Sequence, residues 1–344
     1  MRLLICLCLA TCFASFCIIS GCKPDPSVEP LNEIAFEVPK GWPEPAYKFE
    51  NNKVTNAGFE LGKKLFFDPR LSRNNTISCG SCHQPFAAFA QLDHAVSHGV
   101  EDRLGTRNSP GLFNLNWHTG FFWDGGVNHI ESQPLNPIKN PLEMDETLEN
   151  ILVKLNADQD YQRRFRQAFG NDTINTQRIL KALAQFMGML VSSNSKYDKH
   201  IRGEAGGELT AAELNGLSIF RSNCSSCHSE PLFSDFSYRN NGLKPSVVND
   251  SGRAVITRTT TDLHKFKVPS LRNLKYTGPY MHDGRITSLD KVLDHYATGI
   301  HQSATLDPVL NSGISLTAQE RADLLSFLNT LNDEEFVKEA KFRQ

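Results

Sequence analysis

The sequence predicts an all-α protein that contains two similar halves. Three observations predict this class: apolar residues recur at helical spacing in several segments, segments that alternate as strands do are few, and the pattern C-x-x-C-H occurs once in each half. The 344 residues exceed what a single-core domain usually holds. Apolar residues make up 40% of the chain, as in ordinary globular proteins, and the net charge of −2 excludes a basic surface for nucleic acid.

The N-terminal segment has the composition of an export signal. Arg2 precedes a short apolar run, and this run ends in Ile-Ser-Gly directly before Cys22. That ending resembles a bacterial lipobox, in which the cysteine is lipidated and becomes the first mature residue. An ordinary signal peptide and a membrane anchor are the alternatives. We expect a lipoprotein signal peptide over 1–21, a Pro-rich tether over 22–50 whose last part lies on the protein surface, and lipid anchoring in the periplasm or cell envelope.

In the N-terminal half, expected over 51–200, three segments have helical periodicity. Residues 57–67 predict a short helix that leads to the first C-x-x-C-H pattern, and apolar stripes run over 148–155 and 179–190. Residues 84–145 are rich in Gly, Pro, Asn and Trp and predict a long loop region. A loop of this length in a compact domain is usually functional.

The C-terminal half, expected over 201–344, repeats this order after a polar boundary at 192–209. A capping-box pattern that starts at Thr210 begins a helix ending near the second C-x-x-C-H pattern. Apolar residues over 289–296 mark another helix, and a second capping box, starting at Thr317, begins the last one. The two halves therefore share one order of elements.

Each half carries two cysteines followed directly by a histidine. The six residues are Cys79, Cys82, His83, Cys224, Cys227 and His228. A disulfide framework and a zinc site are the alternatives, but neither requires a histidine after both pairs. In C-x-x-C-H, two thiols reach two vinyl groups of one porphyrin and the imidazole binds its iron. The sequence therefore predicts two covalent c-type haems, with His83 and His228 as proximal ligands.

Around these patterns the chain resembles the bacterial di-haem cytochrome c peroxidase family, including its MauG-like members. The resemblance extends from about residue 57 to about residue 336. It rests on the motifs ELGKKLFFDPRLS, ISCGSCH, GTRNSP, FFWDGG, NPLEM, VPSLRN, GPYMHDGR and DHYATG, in this order. It implies two cytochrome c-like domains, of which the N-terminal one reacts with peroxide and the C-terminal one relays electrons.

The resemblance assigns the peroxide chemistry to Glu143 and Gln133. Glu143 occurs in PLEM, which matches the family's PxEM-like motif, and Gln133 falls at the distal glutamine position. Peroxide must lose a proton from one oxygen and gain one on the other, and one carboxylate can do both. Without the resemblance, Glu143 would be interpreted as a solvated surface residue.

The resemblance also implies a histidine and a tryptophan near the first haem. Some family peroxidases carry a loop histidine that caps this haem and leaves on activation, whereas MauG-like relatives lack it. His98 matches this position better than His94 does. Trp123 matches the family's tryptophan between the haems, where an indole can shorten electron hopping, and it also fits the role of a core aromatic.

At the second haem, the position that holds Met in family peroxidases is Tyr296, as in MauG-like members. Tyr296 lies seven residues after Leu289 on the apolar helix face, whereas His295 is rotated by about 100°. A tyrosinate ligand stabilises ferric iron and lowers the potential. Met281 and His295 remain alternative ligands, and a buried tyrosine above an open haem is the other interpretation.

A calcium site and a propionate contact follow from the same resemblance. Asn108, Thr277 and Pro279 match a family calcium site between the domains, and oxygen ligands, including carbonyls, suit this hard cation. Arg272, in VPSLRN, is expected to pair with a haem propionate.

Together, these expectations describe a lipid-anchored peroxidase that reduces hydrogen peroxide to water. Its electrons would come from a small redox protein of cytochrome c or cupredoxin type, and the resemblance also allows a homodimer. The first alternative is a MauG-like enzyme that oxidises side chains of a partner protein. The second is a non-enzymatic di-haem electron-transfer cytochrome. Glu143 and Gln133 argue against this second alternative, because a pure carrier needs no proton-moving group.

Overall fold

The computed structural model describes residues 32–344, which form helices joined by long loops. The helices are α1 (Asn56–Phe67), α2 (Cys79–Cys82), α3 (Leu135–Lys139), α4 (Leu148–Asn156), α5 (Gln159–Phe169), α6 (Thr176–Gly188), α7 (Lys196–Arg202), α8 (Ala211–Asn223), α9 (Ala254–Thr257), α10 (Leu289–Thr298), α11 (Ala318–Asn329) and α12 (Glu334–Lys338). The predicted signal peptide and Cys22 lie outside the described residues. Within 32–344, the structure contains no helix with the length and apolar character needed to span a membrane.

Strand structure in the described part of the chain is limited to one short ribbon. β1 (Tyr238–Arg239) and β2 (Phe266–Lys267) pair antiparallel, with Tyr238 opposite Lys267 and Arg239 opposite Phe266. Single 3₁₀ turns occur at Pro69–Leu71, Pro85–Ala87, Val100–Asp102, Leu115–Trp117, Ile130–Ser132, Thr260–Asp262, Pro308–Leu310 and Ala340–Phe342. The predicted helical class is therefore confirmed.

The periodic segments form the predicted helices α1, α4, α6 and α10, and the predicted caps begin α8 and α11. The carboxylates of Glu213 and Glu320 accept hydrogen bonds from the backbone N–H groups of Thr210 and Thr317, and each threonine hydroxyl accepts one in return. These bonds satisfy donors that the start of a helix leaves unpaired. The local sequence therefore decides where both helices begin.

Several helices lie where the sequence analysis expects none, and α5 and α7 are the longest of them. α5 is rich in charge, but Tyr161, Phe165 and Ala168 are buried at spacings of four and three residues, which is one helical face. α7 occupies the polar stretch that was expected to be the domain boundary, and it buries Tyr197 and Asp198. The boundary stretch is therefore a packed element of the fold.

Each half has its own apolar core, built on one crossing pair of helices. In the first core, α1 packs on α6, and a Cβ on Gly62 would stand 2.0 Å from the Ala182 carbonyl oxygen. In the second, α8 packs on α11, and a Cβ on Gly216 would stand 2.0 Å from the Asp323 carbonyl oxygen. Glycine lets the backbones approach this closely. The two halves thus share a helix crossing, as their similar sequences suggest.

The C-terminal segment leaves the second core and returns to the first. Phe336, in α12, and Phe342 are buried, and their ring centroids lie 6.0 and 6.5 Å from that of Phe89. Residues from both ends of the described chain therefore complete the first core. The predicted division at residue 200 places Phe336 and Phe342 in the C-terminal half, although they pack in the core of the N-terminal half.

The end of the predicted tether also packs on the first half. Phe49 is buried, the Trp42 and Trp117 ring centroids are 4.9 Å apart, and the Tyr47 hydroxyl donates to Glu131 at 2.7 Å. Aromatic contacts therefore hold residues 32–50 on the protein surface.

Candidate active site

A cavity of about 890 Å³ is lined by residues of both halves. Both C-x-x-C-H patterns and most predicted site residues line it: Cys79, Cys82, His83, His98, Asn108, Trp123, Gln133, Glu143, Cys224, Cys227, His228, Thr277, Pro279, Met281 and Tyr296. This volume is at the upper end of the roughly 300–1,000 Å³ range of ligand sites. Folding therefore brings residues that are distant in sequence into one site.

An internal repeat builds the part of the cavity wall where the halves meet. The corresponding segments are 107–114 (RNSPGLFN) with 266–273 (FKVPSLRN), and 121–126 (FFWDGG) with 280–285 (YMHDGR). The Asn108 N–H donates to the His282 carbonyl, and the Lys267 N–H donates to the Trp123 carbonyl, both at 2.7 Å. Equivalent positions of the repeat therefore form reciprocal hydrogen bonds across the junction. The sequence analysis missed this repeat, which aligning the two segments reveals.

The Nδ1 atoms of His83 and His228 face backbone carbonyls, which leaves Nε2 of each ring as the candidate iron ligand. The His83 Nδ1 lies 2.7 Å from the Phe89 carbonyl oxygen, and the His228 Nδ1 lies 3.1 Å from the Pro269 carbonyl oxygen. Donation from Nδ1–H leaves Nε2 as a neutral ligand atom. Burial lowers the pKa of His83 to about 4 and also lowers the pKa of His228, so both rings are neutral at pH 7.

No disulfide joins the four cysteines beside these histidines. Burial raises the pKa of Cys79 to about 12 and the pKa of Cys82 to about 11, so both are protonated. A zinc site would need several clustered side chains, and residues 32–344 contain no group of three or more His, Cys, Asp or Glu placed to hold a metal ion. Paired thiols next to a neutral imidazole fit the covalent attachment of a haem in each half.

Two loops hold Glu143 on the cavity wall. Its N–H donates to the Asn140 carbonyl at 2.9 Å, and its carbonyl accepts from the Val100 N–H at 2.7 Å. A Cβ on Gly99 would stand 2.5 Å from the Glu143 carbonyl oxygen, so glycine is needed for this contact. The Asn140 amide donates to Glu143 Oε1 at 2.7 Å. Backbone and side-chain contacts thus fix the position of the carboxylate.

Burial makes this carboxylate suited to carrying a proton. Burial raises the pKa of Glu143, and the hydrogen bond from Asn140 partly opposes this effect. Burial and, to a lesser extent, the negative charge of Glu143 raise the pKa of Cys82, because the carboxylate lies near the first C-x-x-C-H pattern. Gln133 is buried and lines the same cavity. The two residues predicted for peroxide chemistry therefore share this site with His83.

His98 lines the cavity, and His94 is turned to another contact. The His98 carbonyl oxygen lies 3.9 Å from Cys82 Sγ, and His98 Nδ1 lies 2.6 Å from Asp102. His94 Nδ1 instead lies 3.0 Å from the Leu92 carbonyl oxygen. The structure therefore favours His98 as the candidate capping residue, while its ligation to iron stays a prediction.

Trp123 lies at the junction of the two halves. Its indole Nε1–H donates to the Asn108 carbonyl at 2.9 Å. The next residue, Asp124, pairs with Arg107 at 2.5 Å, and Arg107 also pairs with Asp250 of the second half at 2.6 Å. No local pattern connects Arg107 with Asp250, so the sequence analysis did not predict this ion triad. The triad and the indole hydrogen bond together hold Trp123 on the cavity wall at this junction, and its position between two haems stays a prediction.

The three candidate ligands of the second haem surround Asn241. The Asn241 side chain partly opposes the rise that burial causes in the pKa of Tyr296, its Nδ2 donates to Met281 Sδ at 3.4 Å, and its carbonyl oxygen lies 3.0 Å from His295 Nε2. Tyr296 and Met281 line the cavity, whereas His295 is buried outside the cavity wall. The helical rotation predicted for α10 thus separates Tyr296 from His295.

The three predicted calcium ligands line the cavity together. Asn108 is buried, and its Nδ2 donates to the His94 and Ala95 carbonyls at 3.2 and 3.1 Å, so its Oδ1 is available as an acceptor. Thr277 and Pro279 line the wall from the second half. An amide oxygen with loop oxygens is a ligand set that calcium accepts. Calcium binding itself stays a prediction.

Arg272, the residue expected to pair with a haem propionate, has protein partners in the structure. It is fully buried outside the cavity wall, and its guanidinium donates to both oxygens of Asp198 at 2.7 and 2.8 Å and to the Pro231 carbonyl at 2.7 and 3.0 Å. It also stacks on the Trp42 ring at 4.6 Å. A carboxylate from α7, distant in sequence, neutralises this cation in a bidentate pair, and the propionate contact stays a prediction.

A helical fold with two C-x-x-C-H patterns on one cavity is that of a c-type haem protein. The family model for the di-haem cytochrome c peroxidase matches residues 56–206. The methylamine utilization protein MauG of Methylorubrum extorquens is 37% identical over 305 residues, which cover 87% of this chain and 84% of that protein. Cytochrome c551 peroxidase of Nitrosomonas europaea is 38% identical over 240 residues, covering 68% of this chain and 71% of that protein. The chain belongs to the di-haem cytochrome c peroxidase family, which implies two haem groups.

A solved structure agrees with this assignment over nearly the whole described chain. It is a MauG-like protein associated with microbial copper homeostasis, with a TM-score of 0.83 and 32% identity, and the match covers 90% of this chain and 98% of that chain. The family resemblance inferred from the motifs is therefore confirmed.

Proposed function

We propose that this protein reduces hydrogen peroxide to water at a haem held by Cys79, Cys82 and His83. The observation that carries the proposal is the position of Glu143 and Gln133 on the wall of the cavity that these residues line. A pure electron carrier needs no partly buried, proton-moving carboxylate beside its haem. The relatives named as cytochrome c peroxidases support the same activity.

Glu143 performs the proton chemistry. Hydrogen peroxide takes up two electrons and two protons and leaves as two water molecules. The ionised carboxylate accepts a proton from one peroxide oxygen and then donates it to the other, and solvent supplies the further protons. The Asn140 amide, 2.7 Å from Oε1, orients the carboxylate, and the Gln133 amide hydrogen-bonds peroxide. The haem, when bound, supplies an iron position for peroxide and transfers electrons to it.

The C-terminal half supplies the electrons. Cys224, Cys227 and His228 would hold the second haem, which would accept electrons from a small redox protein of cytochrome c or cupredoxin type. Trp123 lines the same cavity and is hydrogen-bonded across the junction, so it is placed to assist electron transfer between the halves. Tyr296 would bind the iron of this haem, and a tyrosinate ligand would lower its potential and restrict which donors can reduce it.

Peroxide turnover by the purified holoprotein tests the proposed activity. With a reduced small cytochrome c as donor, we expect sustained, peroxide-dependent oxidation of two donor molecules for each hydrogen peroxide. A holoprotein that exchanges electrons with the donor but consumes no peroxide would instead be an electron-transfer cytochrome.

The position of Tyr296 favours a second candidate function, that of a MauG-like enzyme. Tyr296 lines the same cavity as Cys224, Cys227 and His228. In this alternative, the oxidised haems withdraw electrons from side chains of a partner protein. Peroxide-driven oxidation of a protein substrate, without turnover of a small cytochrome, would establish this function in place of the first.

We further propose that Cys22 is lipidated and anchors the protein in the cell envelope, facing the periplasm. Cys22→Ser should move the protein to the soluble fraction with both haems intact, because one lipidated cysteine supplies the anchor. Membrane fractionation with haem staining measures this result. Retention of the variant in the membrane fraction would contradict the proposal.

We also propose that Asn108, Thr277 and Pro279 bind one Ca²⁺. Treatment with a chelator should lower peroxide turnover, and Ca²⁺ should restore it better than Mg²⁺, because Mg²⁺ demands nearly ideal octahedral geometry. Asn108→Ala should remove the response to added Ca²⁺. Metal analysis showing no calcium in the active wild-type protein would refute the site. Sedimentation of the same samples tests whether the protein forms the homodimer that the resemblance allows.

A further inference from the structure

Lys267 is a cation on the cavity wall that no carboxylate neutralises. Three lysine or arginine residues line this cavity: Arg107, Arg239 and Lys267. Arg107 pairs with Asp124 and Asp250, and Arg239 pairs with two aspartates of its own. Among the described residues, Lys267 Nζ has no carboxylate oxygen within 4.0 Å. Its ammonium group therefore differs from the two neighbouring guanidinium groups.

The contacts of Lys267 Nζ are two neutral acceptors from the first half. Nζ donates to the Gly120 carbonyl at 2.8 Å and to His118 Nδ1 at 3.2 Å. An imidazole that accepts at Nδ1 carries its proton on Nε2, so His118 offers a second donor beside the ammonium. Burial and the charge of Lys267 lower the pKa of His118, which keeps its ring neutral.

A charged ammonium in this position lacks a counter-ion. Burial lowers the pKa of Lys267 to about 7, because removing the charge from water is costly and the carbonyl and imidazole compensate incompletely. The nearby Asp124 is already bound to Arg107. An anion that enters the cavity would restore the missing charge balance.

Lys267, with its missing counter-ion, lies close to the proposed haem sites. Lys267 lies two residues before Pro269, whose carbonyl is bonded to His228, and its own N–H is bonded to the Trp123 carbonyl. It therefore stands where the second haem-attachment pattern approaches the junction of the halves. The anion that the family's cofactor brings to this cavity is a propionate, the carboxylate side chain of haem.

We infer that Lys267, assisted by His118, binds a haem propionate at the junction of the two halves. This role is the one that the sequence analysis assigned to Arg272. The inference rests on the proposed haem sites, and it makes Lys267 a positioning residue that also tunes a haem potential. A positive charge beside the propionate disfavours the additional positive charge of ferric iron, so Lys267 raises the midpoint potential of the haem it contacts.

The test compares Lys267→Met and Lys267→Arg with wild-type holoprotein. Haem content is measured first, because a wild-type protein with fewer than two haems would refute the proposed haem sites rather than this inference. Spectroelectrochemical titration then gives the midpoint potential of each haem, and resonance Raman spectra report the propionate bending modes. Lys265→Met is the matched control, since Lys265 lies two residues away outside this cavity wall and pairs with Asp262.

Lys267→Met should lower the midpoint potential of one haem and shift its propionate bending modes. Lys267→Arg and Lys265→Met should keep the wild-type potentials and propionate modes. The haem whose signals change identifies the source of the propionate. Unchanged potentials and propionate modes in Lys267→Met with two haems would overturn the inference. If Lys267→Met does not retain both haems, Lys267→Gln is measured by the same criteria. If both of these variants lose a haem and Lys267→Arg retains it, the result supports the inference.

Discussion

Glu143→Gln should lower peroxide turnover by about 10²–10⁴-fold while both haems remain attached. Glutamine preserves the size of the side chain and can still contact Asn140, but it cannot exchange a proton with peroxide. The magnitude is that of general acid–base catalysis by one positioned side chain. Steady-state turnover with a reduced donor, combined with haem quantification, measures the loss.

The matched control for this variant is Glu149→Gln, which removes an exposed carboxylate on α4. We expect the control to retain wild-type turnover, because Glu149 is outside the cavity wall. Turnover of Glu143→Gln close to that of wild type would remove Glu143 from the mechanism.

The pH dependence provides a second measurement of Glu143. Burial raises the pKa of its carboxyl, so the ionised form that accepts a proton is present above this raised pKa and is lost as the pH falls through it. Wild-type turnover should therefore decrease on the acid side at a higher pH than an exposed glutamate would give. The same acid limb should be absent from the residual activity of Glu143→Gln.

Tyr296→Met should change the second haem from a low-potential to a high-potential centre. A thioether stabilises ferrous iron, whereas a tyrosinate stabilises ferric and higher oxidation states. In the oxidised wild-type protein, we expect a low-spin haem at His228 without a sulfur-to-iron charge-transfer band. The Tyr296→Met variant should show this band, a higher midpoint potential and faster electron uptake from a small cytochrome.

Spectra of Tyr296→Phe and of the unmodified protein test whether the tyrosine is a haem ligand. Tyr296→Phe should alter the spectrum and potential of the second haem, since it removes the ligand oxygen and keeps the ring. A sulfur-to-iron band in the unmodified protein would instead identify Met281, which lines the same cavity and contacts Asn241. An unchanged haem in Tyr296→Phe would make the tyrosine a packing residue and weaken the MauG-like alternative.

The two outcomes for Tyr296 also separate the two enzymatic functions. A methionine-ligated second haem accepts electrons readily and suits the reduction of peroxide with a small cytochrome. A tyrosine-ligated second haem shares oxidising equivalents with the first and suits electron withdrawal from a partner protein.

The sequence alone determined the features that depend on short-range chemistry. The C-x-x-C-H spacing indicates haem attachment because two thiols and an imidazole must meet one porphyrin edge and its iron. The starts of α8 and α11 follow from capping boxes at Thr210 and Thr317, in which each bond spans three residues. The position of Tyr296 on the cavity wall and of His295 off it likewise follows from the rotation between adjacent positions of a helix.

Only the tertiary structure decided the contacts between distant segments. Arg272 pairs with Asp198 because α7 supplies this carboxylate, and Lys267 lines the cavity beside His118 because the halves meet along an internal repeat. Phe336 and Phe342 complete the first core although they follow the second. Apolar burial is not directional, and a charge pairs with whichever opposite charge packing brings near. Local periodicity therefore predicts which residues are buried, whereas tertiary packing determines which residues they contact.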